Sequence, residues 1–334
     1  MAALVALGLA AGGTLRADWT EQVTLSGDTR VRFQRTDEDG QEERDRIRFQ
    51  ARVGLAGKVN DTLAVGLRFS SGEEDDPISD NQTMGDASDK KSFSIIRAYL
   101  DWTPVDGLHL IAGKMAQPWI AVNDLVFAGG LNPEGVAATY TRTFDGFDLM
   151  ANASYMVVEE NKEDDEVTLS HGQVAAKLRP DLPITLLAGA SLYAWENTDL
   201  WLEDATEYRT VEGFVELART TGFPVTVHAQ VAVNTEADTD DTGYLVGVKL
   251  GRARAPGSFE VGYQYRRLEK YCTVEPFAEN SDTGDGTDVA AHIPYIRYVI
   301  SKNFDLKAQV ALVERGLDDG HDLNTYKLDF SAKF

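Results

Sequence analysis

From Val23 to the end of the chain, apolar and polar residues alternate in segments of roughly ten, the length at which a tilted strand crosses a bilayer. A period of two is the signature of a β-strand with unlike faces. In the closing segment Tyr326, Leu328, Phe330, Ala332 and Phe334 form one face, and Thr325, Lys327, Asp329, Ser331 and Lys333 the other. The second segment sets Ile47, Phe49, Ala51, Val53 and Leu55 against Arg46, Arg48, Gln50 and Arg52. The seventh separates Leu149, Ala151 and Tyr155 from Asp148, Asn152 and Ser154. The eleventh divides Val227, Ala229 and Val231 from Thr226, His228 and Gln230, and the fifteenth divides Leu306, Ala308 and Val310 from Lys307 and Gln309.

The breaks between segments are of two kinds, and the kinds alternate strictly. Short ones carry turn chemistry: Asn60, Pro104, Asp145, Asp181, Gly222, Pro256 and Asn303 lie in them. Long ones are acidic, such as RTDEDGQEER, EENKEDDE and EKYCTVEPFAENSDTGDGTD. Sixteen segments result, with both termini on the tight-turn side. An even meander with tight turns at one end and long loops at the other is the design of an outer-membrane barrel.

A soluble sandwich also alternates, but no segment here reads as buried on both faces, so one closed layer is expected. Aromatics at segment ends (Trp102, Tyr155, Trp195, Tyr263, Tyr265, Phe330 and Phe334) suit interfacial girdles. In lipid every backbone polar group needs a partner, and closing the sheet removes the edge. The predicted fold is therefore all-β, a sixteen-stranded antiparallel transmembrane β-barrel with short periplasmic turns and long acidic outer loops. It occupies residues 18–334. Residues 1–17, beginning MAALVALGLAAGG, read as a signal peptide whose basic n-region is missing.

Composition changes the picture in three ways. The net charge of -22 argues against nucleic acid, which needs a basic footprint. Cys272 is the single cysteine, so neither an intrachain disulfide nor a thiolate metal site is available. Most of the 54 acidic residues fall in the long breaks, as solvated loops or as Ca2+/Mg2+ bridges to anionic lipopolysaccharide; no other cofactor is expected.

Inward parity instead collects cations. Arg30, Arg32, Arg46, Arg48, Arg52 and Arg68 crowd the first three segments, and Lys177, Lys249, Arg266, Arg297, Lys307 and Lys327 follow. Fewer acids share that face: Asp28, Asp148, Glu212, Glu216, Glu260 and Asp329. A wet ring of fixed cations favours anions in transit. The histidines are scattered, with no HExxH spacing, and no GxSxG elbow, phosphate loop or dinucleotide fingerprint occurs. Ser170 and His171 are adjacent and so point to opposite faces. No catalytic residue is expected.

One long break is apolar. QPWIAVNDLVFAGGLNPEG, between the fifth and sixth segments, would expose Trp119, Ile120, Leu125, Val126 and Phe127 if it stayed in water. Folded into the barrel it would narrow the channel, with Trp119, Asp124, Phe127, Asn132 and Glu134 at the constriction and the two acids facing the arginine block. A packing surface for a neighbouring subunit is the alternative.

Three stretches, RIRFQARVGLAGKVNDTLAVGLRFSSGEEDDPISDNQT, AYLDWTPVDGLHLIAGKMAQPW and LNPEGVAATY, resemble the Putative porin family of Gram-negative outer membranes. The terminal YKLDFSAKF, with Tyr326, Leu328, Phe330 and Phe334, is similar to the aromatic C-terminal signal read by the outer-membrane assembly machinery. The resemblance implies a homotrimeric, water-filled diffusion channel for small hydrophilic solutes, with residues 118–133 as its eyelet loop. The loop lacks the acidic, glycine-paired motif of enterobacterial porins, which speaks against a strongly cation-selective eyelet. Two alternatives stand beside a general channel: one selective for phosphate or another oxyanion, and an occluded structural or adhesive barrel.

Overall fold

The computed structural model describes residues 22–334 apart from residues 74, 163–164, 181, 203–205, 220 and 319. The expected signal peptide at residues 1–17 lies outside the described residues. Sixteen strands form the wall. The first five are β1 (Val23–Glu38), β2 (Arg44–Lys58), β3 (Leu63–Ser71), β4 (Phe93–Val105) and β5 (Leu108–Lys114). Next come β6 (Glu134–Phe144), β7 (Phe147–Glu159), β8 (Val167–Leu178), β9 (Ile184–Glu196) and β10 (Arg209–Arg219). The last six are β11 (Val225–Asn234), β12 (Thr242–Gly251), β13 (Phe259–Leu268), β14 (Val289–Ser301), β15 (Phe304–Arg315) and β16 (His321–Lys333).

Each strand pairs antiparallel with its sequence neighbour, and β16 returns to β1. The closing register runs from Asp28 opposite Lys333 to Glu38 opposite Leu323. Gly27 and Phe334 exchange backbone hydrogen bonds of 3.1 and 3.0 Å, so the pairing reaches the terminal residue. A side chain at Gly27 would strike the Phe334 ring at 2.3 Å, which leaves glycine as the residue that fits there. The tight turns use residues that tolerate the left-handed region: Gly107 and Gly146, both at φ 79°, and Asn303 at φ 63°. Where β3 leaves β2 beyond Ser70, residues Gln82–Thr83 of the second outer loop take its place beside Arg48 and Phe49.

Alternation sets the two faces. Val174 (64% exposed), Ile95, Val227, Val231 and Leu312 project outward, whereas Gln173, His228 and Gln230 are buried inside. An apolar girth of this extent belongs in lipid rather than water. No described helix is long and apolar enough to cross a membrane, so the strands carry the crossing.

The interior departs from a uniformly polar lining. Its outer half holds a dry cluster in which Leu169, Tyr193, Trp195, Leu268, Val289, Ala291, Ile293 and Val313 face inward from the wall. Trp195, expected in the aromatic girdle, is 8% exposed and sits in this cluster. The reason lies in β9, where Ala190 and Leu192 take the outward positions and Ser191, Tyr193 and Trp195 the inward ones. Inward apolar residues are stable there because outer loops fold in and cover them.

Candidate functional site: the lumen

The polar half of the interior is built by β16, β1 and β2, and register makes it a ladder of rows. From the periplasmic end the β16–β1–β2 rows read Lys333–Asp28–Arg52, Ser331–Arg30–Gln50, Asp329–Arg32–Arg48, Lys327–Gln34–Arg46 and Thr325–Thr36–Arg44. Arg32 forks onto Asp329 through Nε to Oδ1 at 2.6 Å and Nη2 to Oδ2 at 2.8 Å. Arg52 reaches Asp28 at 3.0 Å and Asp80 at 3.3 Å, and Arg68 also reaches Asp28 at 3.3 Å. Arg30 donates to Gln50 and Asn81, both at 2.8 Å. On the adjoining wall Arg297 forks onto Asp305 at 2.9 and 2.6 Å, and Lys307 lies 4.7 Å from the centre of the Tyr295 ring.

These side chains surround a cavity of about 430 Å³ that reaches Asp28 and Lys333 at its periplasmic end and Asn123, Asp124 and Asp282 at its outer end. Seven basic and six acidic residues line it, so its fixed charge is nearly balanced. A second cavity, of about 380 Å³, lies on the outer side; it includes Arg44, Arg46 and Arg48, and shares Asp282 with the first.

The third outer loop, residues 115–133, crosses the interior. Trp119 packs 4.3 Å from His171 and 5.8 Å from Tyr193 between ring centres, and Phe127 lies 5.0 Å from Trp119. Backbone and side-chain bonds tie the loop to the far wall. Gln173 bonds the Ile120 N–H at 2.8 Å and its carbonyl at 2.9 Å. Asn123 Nδ2 lies 2.9 Å from His228 Nε2 and donates to Gln264 at 3.1 Å. Arg266 donates to the Asp124 carbonyl at 3.1 Å. Asn132 accepts from Arg97 Nε at 2.5 Å. Trp119, Asp124, Phe127 and Asn132 are thus inside the barrel, with Asp124 on the wall of the inner cavity. Glu134 is not. It opens β6 on the same face as exposed Val136 and pairs with Lys114, so it points away from the arginine rows.

The seventh outer loop, residues 269–288, also enters the barrel, against the expectation that acidic breaks stay in solvent. Cys272, Val274 and Ala278 are fully buried, and Phe277 packs 5.1 Å from Phe127 and 4.9 Å from Trp195. The Ala128 N–H donates to the Phe277 carbonyl at 2.7 Å, locking the two loops together. Beyond this apolar anchor the loop delivers Asp282 to Lys327, with Gln309 donating to the same carboxylate oxygen at 2.6 Å. Burial pushes the Asp282 carboxyl up, but Lys327, Lys307 and Arg32 outweigh it and hold the group down at about 2. Glu279 goes the other way, raised by burial and then by Asp124 and Asp282. Burial first, and then Glu269, push the Cys272 thiol up to about 12, which leaves it an inert core group.

The expected basic residues therefore divide by place. Arg30, Arg32, Arg52, Lys249, Arg297 and Lys307 line the inner cavity, and Arg46 and Arg48 the outer one. Arg68 stands at the periplasmic mouth with Arg97 and Tyr99. Arg266 is fully buried as a loop tether, and Lys327 is covered by Asp282. Lys177, opposite Asp148, is exposed near the periplasmic end. Of the terminal set, Tyr326, Leu328 and Phe334 are exposed on the outer face, and Phe330 meets Phe33 edge-on at 6.2 Å.

Three kinds of residue escaped the sequence. Arg97 lies opposite Arg68, but the register slips between Arg68 and Phe69, so Ile95 and Arg97 take opposite faces despite their even spacing. The signal was present as a phase break, since Phe93 and Ile95 alternate out of step with Ala98, Leu100 and Trp102. Asp305 was legible from parity with Lys307. Asp80 and Asp282 were not, since loops carry no parity.

Among the described residues no group of three His, Cys, Asp or Glu side chains gathers as a metal site. His171 packs against Trp119, His109 pairs with Asp101, and Tyr263 meets His292 at 2.7 Å, each far from the others in the wall. The arrangement is a pair of charged cavities narrowed by the third and seventh loops.

The sequence profile of the family described as "Putative porin" matches residues 36–220. No curated protein matches the chain. Among solved structures, OprB of Pseudomonas putida at high pH superposes with a TM-score of 0.64 at 8% identity, covering 94% of this chain and 95% of that one. OmpF of Salmonella typhi, in complex with daunomycin, gives 0.61 at 11% identity over 93% and 97%. A loop-deletion mutant of OmpT, an outer membrane protein of Vibrio cholerae, gives 0.52 at 13% identity over 94% and 100%. At such identities the likeness speaks for the fold, a sixteen-stranded closed barrel.

Proposed function

The chain belongs to the Putative porin family, and from that premise we propose that it is a passive diffusion channel of the Gram-negative outer membrane for small hydrophilic solutes and ions, weakly anion-preferring. The observation that carries this reading is a closed barrel with an apolar outer face and a charged cavity off-centre within it. Transport of this kind needs shape and field alone; no residue changes covalently.

The apolar parts of the third and seventh loops pack against the wall of β7–β14, and the seventh loop then reaches across to Lys327 of β16, so solute passes along β16, β1 and β2 beside Asp282. Near-balanced charge in the inner cavity, with Arg44, Arg46 and Arg48 in the outer one, supports a modest preference for anions rather than a strict filter. Assembly as a homotrimer, contact with lipopolysaccharide, and use of the aromatic terminus by the assembly machinery belong to the same reading. They are supported by family membership and by the outward Tyr326, Leu328 and Phe334. Residues 1–17 act as the export signal.

Reconstitution in planar bilayers tests it. Stepwise ohmic currents, with a reversal potential in a salt gradient displaced modestly toward that of the anion, are expected. A folded, inserted protein that passes no current would leave the occluded barrel as the function.

A further inference from the structure

Arg44, Arg46 and Arg48 share the inward face of β2, and among the described residues none of the three forms an ion pair, whereas Arg32, Arg52, Arg297 and Arg315 each do. Arg46 donates to Thr36 Oγ1 at 3.5 Å and Arg48 to the Asn81 carbonyl at 3.4 Å, both long contacts. The Nε atoms of Arg46 and Arg48 are buried without a hydrogen-bond partner. Arg48 also stands directly across from Arg32, and like charges opposed across a strand pair repel.

Among the described residues, none of the acids nearby comes within ion-pair distance of these three arginines. Glu38 pairs with Arg315 at 2.6 Å, Asp282 pairs with Lys327, and Asp329 holds Arg32; Asp76, within electrostatic reach of Arg48, accepts from the Ile78 and Ser79 N–H groups, and Glu42 lies on the cavity wall outside ion-pair distance of the three arginines. Adjacent guanidiniums half out of water, with unbonded donors and no carboxylate within ion-pair distance, carry a cost that a bound counter-anion removes. Hydroxyl and amide groups of Thr36, Gln34 and Ser281 face the same space of about 380 Å³.

We propose that Arg46 and Arg48, with Arg44 at the rim, form a binding site for a tetrahedral oxyanion of the phosphate or sulfate class in the outer vestibule of the channel. The inference rests on the channel reading and names the solute class that reading leaves open. Guanidinium forks match two oxygens of such an anion, a geometry chloride cannot offer. The site lies just outside Asp282, where the two cavities meet. It therefore concentrates oxyanions at the entrance to the narrow stretch.

The test is ³¹P line broadening of inorganic phosphate by the purified barrel in detergent micelles, at constant ionic strength made up with chloride. Saturable binding is expected, displaced by sulfate at lower concentration than by chloride. Arg46→Gln with Arg48→Gln should weaken it by at least about tenfold, while Lys114→Gln, on the outer face, should bind as the unaltered protein does. Should the double glutamine variant fail to fold, Arg46→Lys with Arg48→Lys keeps the charge and loses the forks, and is expected to bind several-fold more weakly. Unsaturable broadening in the unaltered protein, equal displacement by chloride, or undiminished binding in a folded double variant overturns the site. The two readings fail separately. A barrel that conducts but does not saturate with phosphate loses the site and keeps the channel; one that binds phosphate but passes no current does the reverse.

Discussion

Replacing Asp282 with asparagine removes one carboxylate from the place where the inner and outer cavities meet, and keeps the side chain's shape. In the folded protein this group titrates at about 2, against about 3.9 for an aspartate in an unfolded chain. The difference is worth about 2–3 kcal/mol at neutral pH. The sign follows from the depression: the stabilisation is full above the unfolded value and is lost as pH falls through the folded one, between about pH 4 and pH 2. Because Asp282 belongs to a loop and Lys327 to β16, that energy holds the seventh loop in the lumen and is not part of barrel closure. Its loss shifts the docked-to-released ratio about a hundredfold and leaves Lys327 buried without its partner. Two changes are expected in planar bilayers: a higher single-channel conductance, and a permeability ratio moved toward anions because one fixed negative charge is gone. The gap between variant and unaltered protein should persist at pH 4 and close as pH approaches 2. Unchanged conductance and permeability ratio at neutral pH, in a folded variant, would refute the placement of the seventh loop in the conducting path.

Four further outcomes are expected. Replacing Ile120–Gly130 by a short glycine linker should raise conductance, since this segment spans the interior from Gln173 to Gln264; an equal conductance would put the third loop outside the passage. Arg32→Ala removes the fork from buried Asp329 and leaves it only the longer pair with Arg30 at 4.0 Å, and should cost about 3 kcal/mol in denaturant unfolding from micelles. Tryptophan quenching by brominated lipid should reach Trp102, half exposed on the outer face, and spare Trp195; Trp195→Ala should also loosen the loop cluster by about 3–5 kcal/mol, detectable as faster proteolysis of the seventh loop.

The sequence by itself determined the wall. Strand alternation is a property of the backbone, so Val227 and His228, or Leu328 and Asp329, had to part to opposite faces wherever the strand lay. Strict alternation of tight turns and long breaks set the strand number, and a stripe ending on Phe334 required a partner strand at Gly27. Closure followed, because lipid tolerates no open edge. Within the wall, Arg97 was passed over because the register shifts beside it, and parity misled at Trp195, where the inward position was also apolar. What fills the wall was decided only in three dimensions. An acidic loop such as residues 269–288 reads as solvated by composition, yet Phe277 anchors it against Phe127 and Trp195, and the anchor carries Asp282 to Lys327. These contacts join residues remote along the chain, with no period to announce them. The balance of charge in the passage, and the arginines left over from it, depend on such loop placements rather than on any local pattern.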